Sequence, residues 1–203
     1  MLKNLVRLAR PAQWLKNLFV LAPLIFAGEA RSAHAVEFAL LGMAVFCLLS
    51  SAVYALNDLV DRKQDRLHPL KKNRPLASGA LNAGQAAGMI AFLTVAGLGA
   101  AWVLGAQFFV VSIIFLGLNL LYSLLLKNLV ILDAMGVALS FVLRAYAGAV
   151  VIGVPVSKWL LINTLLLALF LAFGKRRHEL VELDSGAIAH RTILIRYSPY
   201  ILD

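Results

Sequence analysis

Acid and sulfur are both scarce in this chain. Ten aspartates and glutamates and one cysteine stand among 203 residues. Cys47 lies in an apolar run, which excludes a disulfide scaffold and a thiolate metal site. Charged residues of both signs reach only 14%, too few to coat a soluble globule of this size. Hydrophobic residues fill the deficit at 62%, with a mean hydropathy of +0.86. These values exclude a disordered chain and an ordinary cytosolic enzyme. An integral membrane protein remains, and it carries a formal net charge of +9.

Apolar stretches near the roughly 20 residues that a helix needs to cross a bilayer recur along the chain. They fall at Trp14–Ala27, Val36–Leu56, Gln85–Leu104, Phe108–Leu126, Leu129–Ile152 and Trp159–Phe173. All run continuously, without the alternation of a barrel strand. A seventh begins near Ile193 and the sequence stops at Asp203. The expected fold is all-α: a polytopic transmembrane helical bundle of six full spans plus the start of a seventh, one domain over residues 1–203. Ala33-His34-Ala35 after a basic, then apolar, N-terminus imitates a cleavable leader. Pro11, Gln13 and Trp14 instead suit an interfacial segment entering the membrane. Gly84 and Gly88 form a small-xxx-small pair expected to let two helices approach. Trp14, Trp102 and Trp159, near span ends, read as interfacial anchors.

The positive charge is one-sided. If the spans alternate, sixteen of the nineteen Lys and Arg share a side: Lys3, Arg7, Arg10, Lys16, Arg62, Lys63, Arg66, Lys71, Lys72, Arg74, Lys127, Lys175, Arg176, Arg177, Arg191 and Arg196. The other side receives Arg31 and Lys158, and Arg144 lies within a span. The positive-inside rule makes the rich side cytoplasmic. A nucleic-acid partner is excluded, because no contiguous basic domain exists to hold a duplex.

Three of the ten acids stand together in Asn57-Asp58-Leu59-Val60-Asp61-Arg62-Lys63-Gln64-Asp65, at the basic end of the second span. On a continuing helix Asp58, Asp61 and Asp65 share one face, and Asn57 lies beside Asp61. Carboxylates this close repel one another unless a cation neutralises them. Oxygen-only ligands favour a hard ion such as Mg²⁺, which completes its shell with water and phosphate oxygens. Arg66, Lys71, Lys72 and Arg74 follow in a loop broken by Pro69 and Pro75, and they can hold phosphate oxygens that a metal leaves unpaired. Two readings of the spacing stand: a metal–diphosphate site, or a solvated basic loop with incidental acids.

Asn57-Asp58-x-x-Asp61-x-x-x-Asp65, continued through Arg66, Arg74-Pro75 and Ser78-Gly79, resembles the first aspartate motif of the UbiA-type intramembrane prenyltransferase superfamily. Arg10-Pro11-x-Gln13-Trp14-x-Lys16-Asn17 resembles the opening of its decaprenyl-phosphate phosphoribosyltransferase branch. Tyr122-Ser123 with Lys127 and Asp133, Leu143-Arg144-Ala145 with Ala147-Gly148, and Gly174-Lys175-Arg176 add to the likeness along nearly the whole chain. The resemblance implies a Mg²⁺-dependent glycosyltransferase of a bacterial inner membrane. Its substrates would be 5-phosphoribosyl 1-diphosphate and a polyprenyl phosphate, serving cell-envelope glycan precursors, with N-terminus and active site cytoplasmic. It implies Asp58, Asp61 and Asp65 as catalytic groups, with Asn57 joining them on the metal. It also raises Arg10, Gln13, Lys16 and Asn17 to phosphate contacts. The superfamily fold has nine helices, so the chain is expected to be incomplete at its C-terminus; Tyr197–Asp203 still resembles family sequence.

One departure matters. Members that use isoprenyl diphosphates commonly carry Asp-x-x-x-Asp after the fourth span; here Asp133 is followed four residues on by Val137. Tyr122, Lys127 and Asp133 stand in place of the second pair, available to a phosphate, a sugar hydroxyl or a metal's water shell. Arg144, three turns after Asp133, is either a ligand contact or a structural partner for a carbonyl or carboxylate. Lys175 and Arg176 divide between membrane anchoring and substrate binding. His178-Glu179 begins like a zinc-protease helix, but Glu182 occupies the second histidine's place. A true prenyltransferase, a cation transporter and an inactive remnant stand as alternatives.

Overall fold

A computed structural model describes residues 1–183, with side chains through His178. The seventh stretch near Ile193, Arg191, Arg196 and Tyr197–Asp203 lie outside the described residues, as do the side chains of Glu179 and Glu182. The described chain is mainly helical, with no strand among the described residues. Its elements are α1 (Leu2–Ala9), a 3-10 helix (Pro11–Leu21), α2 (Ala22–Phe26), α3 (Ala33–Val60), α4 (Arg62–Leu67), α5 (Ala83–Val103), α6 (Ala106–Leu124), α7 (Leu132–Val151) and α8 (Lys158–Leu183).

Local signals account for several boundaries. Ser32 caps α3 by accepting from the Ala35 amide at 3.3 Å. Asn82 and Gln85 form a reciprocal capping box on α5, at 2.8 and 3.0 Å. α3, α5, α6, α7 and α8 are each long and apolar enough to cross a membrane, at or near the five later stretches read from hydropathy. The chain is therefore a multi-pass membrane protein.

The first expected span takes a different form. Trp14–Ala27 is not one α-helix but the 3-10 helix joined to α2. Eleven 3-10 residues at a rise of about 2.0 Å, followed by five α residues, cover about 30 Å. That matches the hydrocarbon core of a bilayer, roughly 30 Å, so a segment too short as an α-helix suffices when wound more tightly. Pro11 at its first turn and Pro23 at the start of α2 lack amide donors where none are needed. α1 meets this segment at Arg10, whose φ of 54° turns the chain.

α3 is the central strut. Phe46 and Leu49 pack with Phe108 and Phe115 of α6, Ala147 of α7 and Val20 of the 3-10 helix. Phe46 and Phe115 meet at 4.8 Å between ring centres. Close approach is set by glycines other than the expected pair. Gly88 has open space around it and Gly84 meets only the Asn82 cap. Gly97 instead admits Leu49, Gly136 admits the Tyr122 ring, and Gly148 lies directly on the Val20 carbonyl. Of the tryptophans, Trp102 and Trp159 are exposed at helix ends as anchors would be, whereas Trp14 donates to Ser51 Oγ at 3.0 Å.

A Cβ at Gly148 would collide with backbone, which no rotamer change relieves. Gly148→Ala is expected to destabilise the bundle by about 3 kcal/mol, and Gly88→Ala to change stability by less than about 1 kcal/mol. Unfolding of both variants in detergent would measure this; equal stabilities would refute the close contact.

Candidate active site

α3 ends at Val60, Asp61 forms a bend, and α4 restarts at Arg62. The i→i−4 bonding survives the bend: Asp61 N donates to Asn57 O and Asp65 N to Asp61 O, both at 2.9 Å. Asp58 and Asp65 are buried, while Asp61 is half-buried and takes a separate cation. Asn57 is half-buried at the same helix end.

Each carboxylate meets a cation from outside its own helix. Arg74 Nη1 bridges Asp58 Oδ1 at 3.0 Å and Asp65 Oδ2 at 2.7 Å. Arg10 Nη2 reaches the same Asp58 oxygen at 2.5 Å, with its guanidinium 5.5 Å from the Tyr54 ring centre. Lys127, in the short turn between α6 and α7, holds Asp61 at 2.7 Å. Asp133 at the start of α7 pairs with Arg176 of α8 at 2.7 Å, both buried. These contacts gather the ends of α3, α4, α7 and α8 at one basic face of the bundle.

The loop after α4 is tied down by backbone contacts. Arg62 Nε donates to Leu76 O at 3.0 Å and Arg66 Nε to Ala77 O at 3.2 Å. His68 Nδ1 accepts from the Leu70 and Lys71 amides, shaping the turn. Arg66 thus braces the loop that delivers Arg74. Lys71 is half-buried and Lys72 exposed on the same loop.

Both non-glycine residues with positive φ among the described residues flank this site: Arg10 at 54° and Ile131 at 69°. Ile131 sits in a tight turn, with Leu132 N donating to Val130 O at 2.8 Å. A β-branched residue in that conformation is strained, and such strain collects at functional sites. The turn links Lys127 to Asp133, so the strain falls between two charged groups of the cluster.

A second polar centre lies deeper. Arg144 is 4% exposed; Nε donates to Asn17 Oδ1 at 2.8 Å, and Nη1 to Ser140 O at 2.8 Å and Ser140 Oγ at 2.6 Å. Its guanidinium lies 4.7 Å from the Phe115 ring centre and 5.5 Å from that of Phe141. Lys16 is exposed and lies 5.9 Å from the Tyr54 ring.

The remaining expected contacts are dispersed. Gln13 is half-buried in the first 3-10 turn, Tyr122 packs its ring on Gly136, and Lys175 is exposed on α8. Ser50, Tyr54 and Ser140 were missed from sequence. A signal did exist for two of them: Ser50, Tyr54 and Asp58 recur every four residues along one face of α3.

The site is thus a cluster of buried and half-buried carboxylates, each paired with a cation from outside its helix, at one end of a helical membrane bundle. Its fold is that of a UbiA homologue from Archaeoglobus fulgidus solved with GPP and Mg²⁺: TM-score 0.76 at 24% identity, covering 98% of this chain and 71% of that one. The UbiA prenyltransferase family model matches residues 17–192, and the chain belongs to that family. Similar curated relatives carry the name decaprenyl-phosphate phosphoribosyltransferase. That of Mycolicibacterium smegmatis is 36% identical over 99% of this chain and 65% of its own length. That of Corynebacterium glutamicum is 33% identical over 98% of this chain and 61% of its own. The chain therefore spans somewhat less than two thirds of these relatives.

The donor set suits a hard ion, being carboxylate and amide oxygen only. Among the described residues, however, no three acidic, histidine or cysteine side chains converge as a ready metal cage. Arg10, Arg74 and Lys127 occupy the faces that a cation would take.

Removing the shared guanidinium leaves buried Asp65 without its cation and Asp58 with Arg10 alone. Arg74→Gln is expected to cost about 2–3 kcal/mol of stability. Adding Asp65→Asn should recover a good part of it. A double-mutant cycle by detergent unfolding checks this, and simple additivity would dismiss the bridge.

Proposed function

We propose that the chain is the larger part of a phosphoribosyltransferase. It would move 5-phosphoribose from 5-phosphoribosyl 1-diphosphate to a polyprenyl phosphate of the decaprenyl phosphate type, releasing diphosphate. The observation that carries this reading is similarity along nearly the whole chain to relatives bearing that name, with the aspartates brought together at one face. Sidedness of charge favours a bacterial inner membrane with this face toward the cytoplasm, where a soluble sugar diphosphate would arrive.

The second half of the site supports the sugar donor over an isoprenyl diphosphate. Asp133 is 1% exposed and paired with Arg176, and Val137 occupies the next turn. A closed pair without a second carboxylate gives a second metal nothing to hold. Transport is disfavoured by position, since the carboxylates lie at a span end rather than near the midplane.

In the reaction a phosphate oxygen of the lipid attacks C1 of the ribose. The C1–O bond to diphosphate breaks, and diphosphate leaves with the bonding electrons. No proton need move, because the acceptor is already an anion, so the site requires no general base. The problem is charge on the leaving group.

Asn57, Asp58, Asp61 and Asp65 would hold Mg²⁺, which when bound supplies positive charge to the diphosphate oxygens. Arg10, Arg74 and Lys127, which neutralise these carboxylates in the structure, would move to the diphosphate as donors. Lys71 and Lys72 lie on the loop braced by Arg62 and Arg66 and would approach from the aqueous side. Catalysis in this scheme is positioning plus stabilisation of the leaving group.

Membranes containing the protein, Mg²⁺ and polyprenyl phosphate should move radiolabel from 5-phosphoribosyl diphosphate into lipid, and not from a labelled isoprenyl diphosphate. Asp61→Asn and Asp65→Asn should each lower transfer at least a hundredfold, about 2.7 kcal/mol of barrier, with insertion unchanged. Label entering only from the isoprenyl donor would reassign the reaction; full activity in either variant would remove the aspartates from it.

A further inference from the structure

α1 is fastened to the bundle on one side only. Leu8 is fully buried and, with Leu5, packs in the cluster formed by Ala55 of α3, Leu76 and Leu81 of the loop, and Ala86 of α5. The rest of its surface is bare: Met1 is 77% exposed, Leu2 76% and Val6 51%. Lys3 and Arg7 are exposed as well. Eight residues without a side-chain cap are too few to hold a helix in water, so packing through Leu5 and Leu8 alone leaves α1 marginal.

Its two ends fix where it lies. Met1 Sδ is 4.0 Å from Gln85 Nε2 in the first turn of α5, and Arg10, the residue after α1, pairs with Asp58 in the last turn of α3. Both turns lie at the same end of the bundle, so α1, about 12 Å long, crosses that end and does not run along a span. Where apolar spans end, the headgroup layer of a bilayer begins, and α1 sits at that level. Leu2 and Val6 form one i, i+4 row, and Lys3 and Arg7 form the next, about 100° round the helix. An apolar row beside a basic row is the pattern of a helix lying in a membrane interface. The basic row has no answer within the protein. No acid precedes Glu29, and among the described residues neither Lys3 nor Arg7 joins an ion pair. Lys3, in a first turn that contains no acid, also opposes the helix dipole. Zwitterionic headgroups carry no net charge to offset these cations, whereas anionic ones do.

We propose that the exposed face of α1 is a docking surface for anionic phospholipids, with Leu2 and Val6 among the acyl chains and Lys3 and Arg7 against the headgroup phosphates. The partner is the surrounding bilayer and not a substrate, so the surface stands independently of the reaction proposed above. Seating α1 also steadies the site, because Arg10 follows Leu8 by two residues and reaches Asp58 from the end of this helix. The charge of the membrane thereby acts on one of the cations that neutralise the aspartates.

Hydrogen exchange of the whole chain, in nanodiscs of phosphatidylcholine with and without phosphatidylglycerol, reads this contact at residues 2–9. The anionic lipid should slow exchange along α1 at least tenfold. Combining Lys3→Gln with Arg7→Gln should abolish that difference, while exchange along α3, read in the same experiment, stays as in the wild type. Lys158→Gln, exposed at the start of α8, should keep it. Equal α1 exchange in the two bilayers, or slowing that survives the double variant, overturns the docking surface. Slowing that follows the number of protein copies per disc and not the lipid charge would assign the face to a second copy of the chain, and would overturn it equally.

Discussion

One backbone contact sets the geometry on which the chemistry depends. Gly148 of α7 lies against the Val20 carbonyl, and that contact seats the 3-10 helix in the bundle. From there Asn17 reaches Arg144, and Trp14 reaches Ser51. Arg10, one residue before the segment, is delivered to Asp58. A side chain at position 148 would push this segment outward, and every polar contact between it and α3 or α7 would lengthen together.

The carboxylates and their cations form a resting arrangement with little slack. Asp58 and Asp65 share a single guanidinium nitrogen, and that arginine arrives on a loop fastened by Arg62 and Arg66. Each of the three aspartates has a cation partner at this level. Arg144, held by neutral acceptors, lies deeper along the bundle. The separation gives the bundle two polar levels along α3, with Tyr54 between them.

Much of this was legible in sequence where physics is local. Hydropathy located five of the six expected spans, because a bilayer demands long apolar helices. The aspartate spacing located the cluster, and the depth of Arg144 followed from counting turns. What stayed hidden was long-range or depended on winding. Arg74 joining two aspartates is a loop-to-helix contact that spacing along α3 does not encode. Nor does spacing say that Asp58 and Asp65 share Arg74 while Asp61 takes Lys127. Gly84 and Gly88 matched a packing motif, yet the glycine that admits a neighbouring backbone is Gly148, whose partner lies far away in sequence. Asn17 meets Arg144 across 127 residues of sequence, a contact that local spacing does not encode.

The 3-10 winding has a mechanical consequence. With three residues per turn, Trp14, Asn17 and Val20 fall in one straight row, and that row meets Ser51, Arg144 and Gly148 in succession. Inserting or deleting one residue between Arg10 and Val20 would rotate part of the row by a third of a turn. Rewinding the same eleven residues as an α-helix would shorten them by about 5 Å. With Val20 fixed on Gly148, Arg10 could then no longer touch Asp58. The segment acts as a ruler of fixed length and phase, one end set by helix packing in the bilayer and the other by the charge of the site.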